Sequence, residues 1–143
     1  MVIAPSAKIV VVEDHPAHLD YLAALLRRCG YEVDAFLSAR AALHHLEQSS
    51  ADLVITDVFM PGMDGFEVLK DLKRVRPELP IIAVSGSGPQ DRSLFLDAMQ
   101  QLGARAGLSK PLDIHSLLDL VARLTGAPPR LSPSHRTAGS LVS

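Results

Sequence analysis

"DLVITDVFMPGMDGFEVLKDL", residues 52–72, carries one complete strand-turn-helix unit. Leu53 to Thr56 form a continuous apolar, β-branched run of the kind that is buried on both faces of a sheet. Asp64-Gly65 opens a helical pattern in which Phe66, Leu69, Leu72 and Val75 share one face, and Pro77 lies just past its end. Between them the run finishes on Asp57. A lone buried carboxylate is costly, so Asp57 either reaches a surface or has something to hold.

The same unit recurs on both sides of this stretch. Upstream, "KIVVVED" (8–14) is a strand. Pro16 then stands at a first helical position, and Leu19, Leu22, Ala23, Leu26 and Cys29 form a stripe that ends at Gly30. "YEVDAF" (31–36) alternates as a more exposed strand, and Ser38 is the N-cap of a helix expected to turn Ala41, Ala42 and Leu46 inward. Downstream, "PIIAVSG" (80–86) is a fourth strand. A Gly/Ser/Pro loop leads to a helix with Phe95, Met99 and Leu102 expected inward. "RAGLSKP" (105–111) is a short fifth strand, and Asp113 caps a last helix through Leu117, Leu118, Val121 and Leu124.

Five β-α repeats with short connections predict an α/β fold, a doubly wound, flavodoxin-like five-stranded parallel sheet with order 2-1-3-4-5 and five helices. Eight repeats would be needed for a barrel. From Gly126 proline, serine, glycine and arginine dominate. The expected organisation is therefore one domain over residues 7–125 and a flexible tail over 126–143.

The 143 residues are 48% apolar and 21% charged with a net charge of -2, an ordinary globular balance without a bulk nucleic-acid or membrane signature. The lone Cys29 excludes an intrachain disulfide and reads as a small core residue. No signal peptide or membrane-length apolar run is apparent, and a cytoplasmic location is expected. Neither G-x-x-x-x-G-K-[ST] nor G-x-G-x-x-G follows a strand, so nucleotide binding has no support.

In an open α/β sheet, ligands bind beyond the carboxyl ends of the strands. The unusual residues gather there: Glu13-Asp14 after the first strand, Asp57 after the third, Ser85 after the fourth, Lys110-Pro111 after the fifth. Three carboxylates repel one another unless a cation sits among them, and an all-oxygen set suits Mg²⁺. A divalent cation, an ammonium and a hydroxyl around one carboxylate make a cradle for a phosphoryl group, with Asp57 as the nucleophile.

With these anchors and "DVFMPGMDG", the chain resembles a response-regulator receiver domain of two-component signalling, over Lys8 to about Thr125 and of the stand-alone type. The resemblance implies that Asp57 accepts a phosphoryl group from a phosphohistidine on a sensor histidine kinase or a histidine phosphotransferase. It implies that Asp14, Asp57 and the backbone carbonyl of Phe59 hold Mg²⁺, with Glu13 acting largely through water. Ser85 and Lys110 would engage the phosphoryl oxygens. Met60, Pro61 and Gly62 would shape the loop beside the acceptor, Asp64-Gly65 would start the next helix, and Lys110-Pro111 would be cis. Such a domain catalyses its own aspartyl phosphorylation and autodephosphorylation but acts on no external substrate. Its output runs through protein-protein contact or onward phosphotransfer in a phosphorelay, to an unknown target, with no nucleic acid or membrane partner.

Two positions depart from the family pattern. Gly107 stands where receivers usually carry Tyr or Phe, so the switch is expected to reside in ordering of the loop after Ser85 and the helix that follows. Phe59, with Ser87, would flank the path of the attacking water, and the bulk of Phe59 predicts slow autodephosphorylation.

Other readings are weaker. An aspartyl phosphohydrolase of the haloacid-dehalogenase type wants a second aspartate where Phe59 stands. A non-phosphorylated pseudo-receiver binding module would generally lack part of the acid cluster or the lysine. His15 and His18, three apart beside Asp14, fit a charged first helical turn better than a transition-metal site.

Overall fold

The structure of the protein, a computed structural model, describes residues 6–58, 64–86 and 92–130. Strands and helices alternate as β1 (Lys8–Val12), α1 (Pro16–Arg28), β2 (Glu32–Phe36), α2 (Ala39–Gln48), β3 (Leu53–Asp57), α3 (Gly65–Val75), β4 (Ile81–Ser85), α4 (Arg92–Gln101), β5 (Ala106–Ser109) and α5 (Ile114–Thr125). The sheet is five-stranded and parallel in the order β2-β1-β3-β4-β5, as the alternation predicts.

Successive residues of a strand point to opposite faces, which divides the core in two. On one face Ile9, Val11, Leu53, Ile55, Ile82 and Val84 pack against Leu19, Leu22 and Leu26 of α1 and Leu117 and Val121 of α5. On the other, Val10, Val12, Val54, Ile81 and Ala83 meet Leu46 of α2, Val68, Leu69 and Leu72 of α3, and Met99 of α4. Because helices cover both faces, the central strands read as unbroken apolar runs.

Local chemistry fixes the helix starts. Pro16 occupies the first turn of α1. The side chains of Ser38, Asp64 and Asp113 accept backbone N–H bonds from Ala41, Phe66 and His115, which satisfies donors that the helices leave unpaired. This phase corrects one expectation. Ala42 and Leu46, four apart, face the core, whereas Ala41 lies a third of a turn away and is exposed.

Leu102 corrects another, since it is exposed rather than inward. Helix α4 has ended at Gln101, the chain turns through Gly103 at φ 118°, and Ala104 takes the inward place. Met99 is buried as expected, while the Phe95 side chain lies outside what is described.

The segment after α5 is described as far as Arg130 and turns back on the body of the domain. Gly126 terminates α5 in the left-handed region at φ 73°. Tyr31 Oη then donates to the Ala127 carbonyl at 2.7 Å, and the Arg130 N–H donates to the Cys29 carbonyl at 2.6 Å. The Arg130 side chain lies over Gly30. This strap closes on the amino-end pole of the sheet, where α1 gives way to β2. Burial raises the pKa of Cys29 there, and burial followed by the nearby Cys29 raises that of Tyr31.

Candidate functional site

At the opposite pole, the carboxyl ends of β1, β3, β4 and β5 meet. Burial at this rim is selective: Glu13, Asp57 and Ser85 are buried, while Asp14 is exposed. Two carboxylates withdrawn from water need a counter-charge, and Lys110 supplies it. Its Nζ donates to Glu13 Oε1 at 2.5 Å and to Asp57 Oδ2 at 3.0 Å.

Burial of the ammonium lowers its pKa. The hydrogen bonds from Lys110 to Glu13 and Asp57, with the charges of both carboxylates, outweigh that cost, and the net direction is upward. The ammonium is therefore firmly protonated at neutral pH.

Backbone contacts hold these groups in place. The Lys110 N–H donates to the Ser85 carbonyl at 2.9 Å, continuing the pairing of Ser85 with Ser109 and tying the lysine to the end of β4. The following Lys110–Pro111 peptide is cis. The Glu13 N–H reaches the Phe36 carbonyl at 3.1 Å, and Glu13 Oε2 accepts the His15 N–H at 3.1 Å. Past Asp57, the Val58 N–H donates to Val84 at 2.9 Å. The Ser85 hydroxyl is directed to the Gly86 carbonyl at 3.3 Å.

Glu13, Asp14 and Asp57 each bring a carboxylate oxygen within 4.8 Å of the others, and this is the grouping among the described residues that suits a metal ion. Its all-oxygen chemistry fits Mg²⁺, which takes one or two carboxylates and keeps waters. His15 and His18 do not join it. Their rings stack on each other at 4.0 Å with 16° between planes, and His18 Nδ1 lies 3.9 Å from Glu13 Oε1.

The structure thus brings together Glu13, Asp14, Asp57, Ser85 and Lys110, four of them on different strands' ends and Asp14 beside Glu13. Asp64 and Gly65 begin α3 as expected, Pro111 follows the lysine, and Gly107 pairs with Ala83 inside β5. Phe59, Met60, Pro61, Gly62 and Ser87 lie outside the described residues.

Two features were not anticipated from the sequence. Thr56, fully buried, donates its hydroxyl to the Asp57 carbonyl at 3.0 Å. A hydroxyl interrupting a Val/Ile run was the signal for it. The second is a groove of about 490 Å³ beside the Lys110 stem, lined by Tyr21 and Leu22 of α1 and by Pro111, Leu112 and Ile114. Tyr21 is 62% exposed, the most open of the large apolar side chains described.

Comparison with known proteins agrees with this geometry. The family model described as the response regulator receiver domain matches residues 9–122. The response regulator protein FleR of Pseudomonas aeruginosa is 42% identical over 118 residues, covering 82% of this chain and 24% of FleR. The transcriptional regulatory protein TcrA of Mycobacterium tuberculosis is 34% identical over 135 residues, 94% of this chain and 52% of TcrA. The chain thus spans between about a quarter and a half of these relatives' length.

Among solved structures, a CheY-like receiver domain from Methanospirillum hungatei superposes with a TM-score of 0.75 at 29% identity, covering 86% of this chain and 97% of that one. The receiver domain of a Pseudomonas aeruginosa sensor histidine kinase, solved with magnesium coordinated in its active-site cleft, gives a TM-score of 0.73 at 25% identity, covering 85% and 99%.

Proposed function

Because the chain belongs to the response regulator receiver domain family, we propose that Asp57 takes a phosphoryl group from a phosphohistidine on a sensor histidine kinase or histidine phosphotransferase. The observation that carries this reading is the Lys110 ammonium bonded to Asp57 and Glu13, with Asp14 beside them.

In the step itself an Asp57 carboxylate oxygen forms a bond to phosphorus as the P–N bond of the donor breaks. The bonding pair leaves with the imidazole, which takes a proton. Glu13, Asp14 and Asp57, with the backbone carbonyl of Phe59, are the residues that would hold Mg²⁺. When bound, the ion neutralises charge on the phosphoryl oxygens. Lys110 holds Asp57 in place before the reaction and offers its charge to the new phosphoryl oxygens afterwards. Ser85, one strand away, has a hydroxyl free to exchange the Gly86 carbonyl for such an oxygen.

The groove between α1 and the segment after β5 is the proposed landing place for the donor. Its apolar walls sit immediately beside Lys110, so a partner helix seated there would bring its histidine over Asp57. The domain turns over only its own phosphoryl group, and signals by protein-protein contact or by onward transfer. No helix among the described residues is long and apolar enough to cross a membrane. We place the protein in the cytoplasm, with its receiver domain over residues 7–125 and a tail beyond.

Incubation with acetyl phosphate and Mg²⁺ followed by intact mass tests the reading. One added phosphoryl group, dependent on Mg²⁺ and absent from Asp57→Asn, is expected. An unlabelled wild type, under conditions that label other receivers, would instead favour a pseudo-receiver that binds partners unmodified.

A further inference from the structure

Three elements of the fold converge on Gly65. A Cβ placed there would lie 2.6 Å from the Val58 carbonyl oxygen, 2.9 Å from the Val58 Cβ and 3.1 Å from Cε of Met99. Val58 directly follows Asp57, Gly65 is the first residue of α3, and Met99 belongs to α4. A glycine is required because the end of β3 and the tip of a methionine from another helix already occupy the space a side chain would take.

Met99 is also the anchor of α4. Among the α4 side chains described, those of residues 97–101, it alone is buried, and it has no exposed surface. It shares its core cluster with Val58, Leu69 and Ala83. The sheet beneath offers small residues, with Ala83 paired to Gly107 and Ser85 to Ser109. The long, unbranched methionine therefore fills space over the small residues at this end of β4 and β5.

We infer that Met99 is the positioning residue through which α4 registers the state of Asp57, by its closeness to Gly65 in the cluster it shares with Val58. The inference rests on the phosphoacceptor reading above. A phosphoryl group adds charge and three acceptor oxygens to the residue next to Val58, and the donors around it must rearrange. A close-packed interior has no slack to absorb that shift. The Val58 carbonyl and the Met99 methyl close on the same space at Gly65, so a shift of the Val58 backbone or of Gly65 would be passed through Met99 to α4. Met99 acts through packing and not on the reacting atoms.

The test is amide hydrogen exchange of residues 97–101 in wild type, Met99→Leu and Met99→Ala, each with and without acetyl phosphate and Mg²⁺. Intact mass follows the occupancy of Asp57 in the same samples. Met99→Leu nearly conserves volume but lacks the terminal reach, so it keeps the experiment readable if the alanine variant unfolds.

The expected result is comparable labelling of all folded variants, with a phosphoryl-dependent change in α4 exchange of at least threefold in wild type. Less than half of that change should remain in the variants. An undiminished change in labelled Met99→Leu, or labelled wild type with unaltered α4 exchange, overturns the inference while leaving the acceptor assignment intact. A wild type that takes no phosphoryl group overturns both, and the mass alone identifies that outcome.

Discussion

The ammonium of Lys110 sits 3.0 Å from Oδ2 of Asp57, although 53 residues separate them in the chain. The same nitrogen serves Glu13, so one cation balances two buried carboxylates. Removing it leaves both without that counter-charge. Lys110→Met is expected to lower stability by about 3 kcal/mol in metal-free buffer. Added Mg²⁺ should recover part of the loss, because it would enter the same acid cluster. Urea unfolding with EDTA or with Mg²⁺ reads both effects.

The pH dependence of that pair follows from its sign. The folded-state pKa of Lys110 lies above the ordinary lysine value of 10.5. Its contribution is therefore complete below that value and fades as pH rises through the folded pKa. The stability gap between wild type and Lys110→Met should be constant from pH 7 to 9 and narrow above about 10.5. A gap that stays level through pH 11.5 would contradict the assignment.

Gly65→Ala places a methyl group against a backbone carbonyl, which cannot rotate away as a side chain would. Overpacking of this kind costs about 1–3 kcal/mol. Thermal unfolding should move down by roughly 3–10 °C. An unchanged midpoint would show that Val58 has more freedom than its contacts indicate.

The strap makes a separable contribution. Tyr31→Phe removes the hydroxyl that bonds the Ala127 carbonyl, at an expected cost of about 1 kcal/mol. Truncation after Gly126 should cost somewhat more, since it also removes the Arg130 contacts and the apolar cover from Ala127. Neither change should alter the rate at which acetyl phosphate labels Asp57, as the strap lies at the other pole.

Phe59→Asn is expected to speed loss of the phosphoryl group severalfold or more, because a polar side chain at position 59 could orient an attacking water and an apolar one could not. Decay of labelled protein by intact mass at fixed Mg²⁺ measures it. Equal half-lives for both proteins would remove Phe59 from consideration.

The sheet order and the rim of acids were legible because they depend on period and position. An uninterrupted Val/Ile strand implies two covered faces, Asp57 and Ser85 each interrupt such a run at its carboxyl end, and Lys110-Pro111 follows the short fifth strand. The misplacements of Ala41 and Leu102 share a different cause. Both are apolar residues next to a helix boundary, where the phase is set by a cap or a turn that hydrophobicity does not report. The Thr56 hydrogen bond, the closeness of Met99 to Gly65 and the Tyr31-to-Ala127 contact were hidden for another reason. Each is defined by what it touches across the fold, and no periodicity in one segment encodes a neighbour from another.

The position of Arg130 has a practical consequence for experiments on this protein. The chain passes it at the pole farthest from Asp57, and Arg130 is itself held by the turn at Cys29 and Gly30. A fluorophore or surface tether attached at position 130 itself would sit on the far side of the domain from Asp57. A donor protein could approach the acid rim without meeting that cargo. Immobilisation through position 130 therefore presents the reactive pole outward, whereas attachment through a lysine introduced on α1 would set the tether beside the groove where a donor is proposed to land.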